Sequence, residues 1–384
     1  MKGAGHGGSG RDPRGAGIEA FVRRHWLETW VAIVVILFAL PTVFLAVAQR
    51  RWLTLERETW AATLDPTRPD PGLNPPEAVD TTGARRVTIG FYMESIEHIS
   101  IHDGGWSTIL DLWCAWEHDR ADPDFDPFDH LLPVNGKIVS SDVVRESHTE
   151  SSHYVHRRLE LDFKRTFRVV NFPVDRHLLL ASFENSAHPR DELLFVADDA
   201  TSAVSRRVSP AGYAIERFHA VENPHSYLTS RGWPGFPPER SGTWSQPRFA
   251  IEIGRAGWGL FLKMFQALFV SVGVALLACF IKPIHVDPRF GLGVGALFAS
   301  VANGYLVGTY VPETGEFSLA DVVNLLGIGT ILLSMTQSTI SLWIYETLDD
   351  PVASRRFDRV SFWAILGGFV AALTILAAGA VSRI

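Results

Sequence analysis

The chain has 384 residues, 47% of them hydrophobic, and a mean hydropathy of +0.10, which is too apolar for a wholly water-soluble chain and too polar for one that is all membrane. A formal charge of −7 argues against a general phosphate-backbone binder, and hence against a nucleic-acid partner. Twelve Trp and 24 Phe exclude a disordered chain. The composition implies a membrane protein with one sizeable soluble domain.

Taken in chain order, residues 1–29 are glycine-rich at first and hold Lys2, Arg11, Arg14, Arg23 and Arg24, as expected of a disordered cytoplasmic tail. Residues 30–49 form the first apolar run, with Trp26 and Trp30 placed as interfacial anchors. Ala46-Val47-Ala48 also fits a signal-peptidase site. The long leading segment and Arg50-Arg51 just beyond favour an uncleaved helix. Residues 50–84 read as a linker, proline-rich from Asp65 to Pro76.

Short segments of β character follow at 87–92, 109–116, 154–161, 165–170, 177–182, 193–196 and 249–253. Ile109, Asp111 and Trp113 alternate with Leu110, Leu112 and Cys114, as in a strand with two different faces. Asp103-Gly104-Gly105 and Asn135-Gly136 supply turns. Many short strands at this spacing predict a β-sandwich over 85–257 rather than a βαβ fold. The region is net acidic, and an acidic field above a membrane opening would concentrate cations.

Four further apolar runs, at about 258–281, 290–311, 319–345 and 360–381, each reach the ~20 residues that a bilayer core demands. Their short loops predict a four-helix transmembrane domain over 258–384. Lys282 and Arg289 mark the first loop, and Arg355, Arg356 and Arg359 the third; Glu313, Glu316 and Asp321 mark the second. Positive-inside reasoning puts the basic loops in the cytoplasm, and the β-domain and C-terminus on the extracellular or periplasmic side. With Cys114 in a strand and Cys279 in a span, no internal disulfide, multi-thiolate zinc site or iron–sulfur cluster is expected.

Three motifs recur in order: Asn171-Phe172-Pro173-Val174-Asp175-Arg176 between two strands; Arg255 at the end of the last strand; and Pro288-Arg289-Phe290-Gly291-Leu292-Gly293-Val294 opening a helix that Pro312 closes before Asp321. Together with one β-domain and four tightly spaced spans, the region from about Arg85 to Ile384 resembles the pentameric ligand-gated ion channels. The absence of two cysteines around the F-P-x-D loop resembles the prokaryotic branch. The first membrane run of the domain lacks the proline usual in that family, and the N-terminal span is an addition. The resemblance implies a homopentamer that conducts small ions under the control of a small-molecule or proton agonist, with no cofactor and no catalytic or metal-binding residues. Membrane lipids are then the other partner. Phe172, Pro173, Asp175, Arg255 and Asp321 would couple the two domains. Asp175 and Arg255 are expected to form a bidentate pair, since either charge alone is costly to desolvate.

In such a ring, the 290–311 helix lines the pore. One face recurs every 3.6 residues and holds Gly291, Gly295, Phe298, Ala302, Tyr305 and Thr309. A ring of Phe298 side chains would gate by dewetting, although ordinary packing of Phe298 against lipid would give the same pattern. Asp287, Arg289 and Glu313 are the candidate selectivity residues, and the acidic outer mouth leans toward cations. Agonist would bind among aromatics and a carboxylate: Trp116, Phe183, Glu184, Tyr227, Trp233, Phe236 and Trp244. The same side chains would serve equally as loop anchors. Eleven of the 14 histidines lie in the β-domain; His148, His153 and His156 are candidates for proton sensing or divalent-metal binding, with solvated surface histidines the simpler reading. No nucleophile elbow, phosphate loop or HExxH is present, so an enzyme is not expected. The competing function is a membrane-anchored, non-conducting sensor or scaffold of the same fold.

Overall fold

The computed structural model describes residues 13–68, 79–117, 122–227, 229, 242–311 and 317–381, with side chains described from residue 25 onward. A long helix comes first, α1 (Pro13–Leu64), then ten strands, then four helices: α2 (Gly259–Leu277), α3 (Val286–Gly308), α4 (Leu319–Thr347) and α5 (Pro351–Val381). The described residues fall into two compact units, one made of those within 1–48, 264–306 and 321–384 and the other of those within 49–263 and 307–320.

The second unit holds the sheets. Strands β1 (Arg85–Ser100), β2 (Gly105–Glu117), β3 (Leu131–Pro133), β4 (Gly136–His148) and β5 (Ser152–Lys164) are followed by β6 (Arg176–Asn185), β7 (Leu193–Ala197), β8 (Ala203–Val204), β9 (Tyr213–Ser226) and β10 (Thr243–Arg255). One sheet runs β4-β5-β2-β1-β7, with β8 also paired to β1; the other runs β3-β6-β10-β9. Alternation explains the core: Val87, Ile89, Phe91 and Met93 of β1 and Leu110, Leu112 and Cys114 of β2 are fully buried. Phe91 stacks on Phe249 of β10 at 4.7 Å, and Phe163 meets Phe183 edge-on. On the other face of β1, a Cβ at Gly90 would collide with the Trp113 indole, so only glycine lets that ring cross the strand.

The segment 165–170, expected as a strand, is not one. Phe167 and Val169 are buried and alternate with Thr166 and Arg168, which produces the β-like pattern, but the backbone joins no ladder and leads into turns closed by Phe172 N–H to Val169 O and Val174 N–H to Asn171 O. The strands not anticipated include β4, which has no buried residue and therefore no period to read, and β9.

Among the described residues, five helices are long and apolar enough to cross a membrane. Helix α1 is longer at both ends than the first apolar run: residues expected as a disordered tail are helical from Pro13, and residues 50–64, expected as linker, are helical too. Within the helical unit, Trp26 and Trp30 pack on Phe357 of α5 at 5.0 and 5.3 Å. Phe38 lies where a Cβ at Gly368 would come within 2.5 Å, so a glycine in α5 admits its ring. Helix α5 starts nine residues before the apolar run at 360, because Asp350 caps it. Its carboxylate accepts from the backbone N–H groups of Val352 and Ala353 at 3.1 and 2.9 Å, with Pro351 at the first helical position. Arg355, Arg356 and Arg359, expected in a loop, are therefore helical.

Candidate functional site

The loop Phe172-Pro173-Val174-Asp175 enters β6. Asp175 lies just before that strand and His177 just inside it; both are 2% exposed, and the His177 ring nitrogen Nε2 hydrogen-bonds one Asp175 carboxylate oxygen. Arg255, the last residue of β10, donates from Nε to the other oxygen at 3.0 Å, while its backbone N–H donates to the Asp175 carbonyl at 3.2 Å. The structure thus brings Asp175 and Arg255 together. The contact is not the bidentate fork expected, because His177 occupies the second oxygen. The Arg255 guanidinium also lies over the Tyr213 ring at 4.1 Å and the Phe172 ring at 5.5 Å. Burial alone would push the Asp175 carboxyl up, but the hydrogen bond and charge of His177 and then the charge of Arg255 outweigh it and hold the group below the usual carboxylate range. Tyr213 is pushed up, first by burial and then by the charge of Asp175.

The same loop meets the head of α4 through backbone groups. Leu319 and Ala320, two of the helix-start N–H groups that have no intrahelical partner, donate to the carbonyls of Val170 and Phe172 at 2.8 and 3.1 Å. Asp321 follows in the first turn of α4, where a carboxylate complements the helix dipole. Gln49 of α1 donates to Asn171 Oδ1 at 3.1 Å, both side chains being buried.

The expected agonist residues divide. Phe183 is fully buried among core aromatics; it alternates with Glu184, which lies on the opposite face of β6. Glu184 accepts from Tyr227 Oη at 2.8 Å and Gln246 Nε2 at 2.7 Å, and Tyr227 meets Trp244 edge-on at 5.3 Å. Arg248 extends this network, donating to Gln246 Oε1 at 3.1 Å and to the carbonyl of Thr63 in the last turn of α1 at 3.3 Å. Trp116 is not part of that group: it stacks on His153 and meets Phe125 edge-on. Trp233 and Phe236 lie outside the described residues.

The three expected histidines also separate. His148 and His153 face each other across the β4–β5 pair with their Nδ1 atoms 2.5 Å apart, and His148 Nε2 reaches Glu146 at 2.7 Å. His156 instead lies 3.5 Å from Asp111, which Arg158 holds at 2.8 Å. Among the described residues, no group of three or more His, Cys, Asp or Glu could hold a metal ion. Cys114 in β2 and Cys279 in the turn after α2 are free and buried, and burial pushes the Cys114 thiol far up.

In α3, Gly293, Ala296, Ser300, Asn303 and Val307 recur at spacings of three and four and are buried. The stripe Gly291, Gly295, Phe298, Ala302 and Tyr305 is exposed throughout, with Phe298 at 74% and Tyr305 at 79%; Thr309, expected on the same helix, is exposed too but lies in the turn just past its end. Asp287, in the first turn, is exposed as well. Arg289, a candidate selectivity residue alongside Asp287, is not on this face. It is 1% exposed, and Nη2 donates to Asp358 of α5 at 2.6 Å, while Gln337 of α4 donates to the same carboxylate oxygen at 2.6 Å. Pro312, Glu313 and Glu316 lie outside the described residues.

Sequence reasoning missed His177, Tyr213, Gln246, Arg248, Gln337 and Asp358. His177 was findable, since it lies two residues from Asp175 and shares its side of the strand. Asp358 was hidden among Arg355, Arg356 and Arg359, which read as one basic loop. Comparison with protein-family models and with curated proteins finds no match to this chain.

Proposed function

We propose that this chain is the subunit of a homopentameric ion channel of the pentameric ligand-gated type, opened by a small-molecule or proton agonist and conducting small cations along α3. In this reading the two stacked sheets are a β-sandwich outside the membrane, α2 to α5 are a transmembrane bundle, α1 is an added span, and the C-terminus is extracellular or periplasmic. The observation that carries it is the exposed stripe on α3. Helix α3 buries Arg289, Ser300 and Asn303 against its own chain and exposes two glycines, a phenylalanine and a tyrosine at helical spacing, beside Val294, Val301 and Leu306. In this reading the exposed face meets other copies and the conduit between them. The Asp175–Arg255–His177 group and the Leu319–Val170 contact supply a path by which strain in the sheets reaches the head of α4. Glu184 with Tyr227 and Trp244 is the candidate agonist contact, suited to a cation by the carboxylate and the aromatic faces.

The test is native mass spectrometry of the purified protein, followed by planar-bilayer recording with a screen of pH, amines and divalent ions. Five copies and agonist-dependent current are expected. A monomer removes the pore, and a pentamer silent under every condition favours the non-conducting scaffold.

A further inference from the structure

Asp287 and Arg289 are two residues apart, and about 100° per residue puts them about 200° apart around α3. Asp287 is four residues before Gly291 and so begins the exposed stripe that runs through Gly295, Phe298 and Ala302. Arg289 points the other way, with its guanidinium enclosed. Its Nη2 meets the Asp358 carboxylate at 2.6 Å, its Nη1 meets the carbonyl of Ile281 at 3.3 Å, and its side chain is 0% exposed. Gln337 supports the acceptor, and the Cys279 thiol in turn donates to Gln337 Oε1 at 3.4 Å. An arginine and an aspartate buried in apolar helices are retained only where both are paired and hydrogen-bonded. Here three segments besides α3 contribute to that pairing.

Resting on the channel reading above, we propose that Asp358 and Gln337 are positioning residues for ion selectivity: they hold the one basic side chain of α3 off its exposed face, so that Asp287 carries the fixed charge there and cations are favoured. The other exposed basic residues near this end, Lys282 and His285 before α3 and Arg355, Arg356 and Arg359 of α5, are not on the α3 stripe. Charge choice is then set by a residue of α5 that touches no ion.

Two measurements on the full-length protein test this. Arginine modification with phenylglyoxal, read by peptide mapping, should leave Arg289 at least tenfold less reactive than the exposed Arg355 and Arg356, and Asp358→Asn should remove most of that protection. In bilayers under a potassium chloride gradient, Asp358→Asn should lower the cation-to-anion permeability ratio at least fivefold. Asp358→Glu should keep the ratio, and Asp358→Asn combined with Arg289→Gln should restore it. Arg289 reacting as fast as Arg355 in the unmodified sequence, or a ratio unmoved by Asp358→Asn in channels that still conduct, overturns the proposal alone. A wild-type protein that never conducts overturns the channel reading and the selectivity assignment with it, whatever the protection pattern. Should Asp358→Asn fail to assemble, Gln337→Leu serves in its place, with a partial loss of protection and a smaller fall in the ratio expected; no change in either is contrary.

Discussion

Two aspartate–arginine pairs, one in each unit, meet the same desolvation problem in different ways. In the sheet unit, Asp175 is 2% exposed but its partner Arg255 keeps 14% exposure, and the carboxylate is shared with His177 while aromatic rings flank the guanidinium. In the helical unit, Arg289 and Asp358 are 0% and 5% exposed, and the only additional donor to the carboxylate oxygen among the described contacts is the Gln337 amide. The first pair keeps a partly exposed guanidinium and shares its carboxylate with an imidazole; the second has neither.

That contrast can be broken by mutation. The largest effect is expected from Asp358→Ala, which strands a buried guanidinium. A loss of about 3–5 kcal/mol is the ordinary consequence of removing one member of a buried pair, and thermal unfolding in detergent, with the oligomer followed by size-exclusion chromatography, should show it. Retention of wild-type stability would mean that Arg289 finds water. Asp175→Asn should cost less, because the amide can still accept from Arg255 and the arginine is partly solvated. A double-mutant cycle with Arg255→Gln on channel opening should give a coupling of about 1–3 kcal/mol, and additivity would show that the two residues act separately.

The pH response separates the pairs further. The Asp175 carboxyl is held below its ordinary value, so its contribution is full above the unfolded value of about 4 and is lost as pH falls through the lower folded value. Thermal stability should therefore be flat from neutral pH down to about 5 and fall below about 4, with Asp175→Asn flattening that acid limb. An unchanged acid limb in the variant would assign the loss to other carboxylates. The smallest effect belongs to the Asp350 cap, where Asp350→Ala should cost about 0.5–2 kcal/mol by freeing two N–H groups of α5.

The same comparison shows what the sequence made legible. Asp175 and Arg255 stand at strand ends inside recognisable motifs, and sheet register needs only alternation to bring them near each other. Strands β1, β2, β5, β6, β7 and β10 were readable for that reason, whereas β4 has no buried face to read. The segment 165–170 carried the alternation without a neighbouring strand to pair with. Arg289 was visible as a charge, but its direction depends on a residue 69 positions away and on the rotation of a helix. Helix pattern gives the face of α3, with Phe298 and Tyr305 outermost, yet nothing local distinguishes the face that carries Asp287 from the one that carries Arg289 until α5 is in place. Phe183 and Glu184 divided in the same way: adjacent in sequence, opposite in the sheet, one a core ring and the other a buried acceptor.

The central claim is that the exposed line of α3 borders an ion path. Single cysteines at Phe298, Tyr305, Ser300 and Asn303, introduced one at a time, test it directly by the block of bilayer current on adding a charged methanethiosulfonate. The native thiols give a low background, since Cys114 and Cys279 are both buried. Rapid block is expected at 298 and 305 and none at 300 and 303. Equal rates at all four positions, or block confined to 300 and 303, would contradict the account.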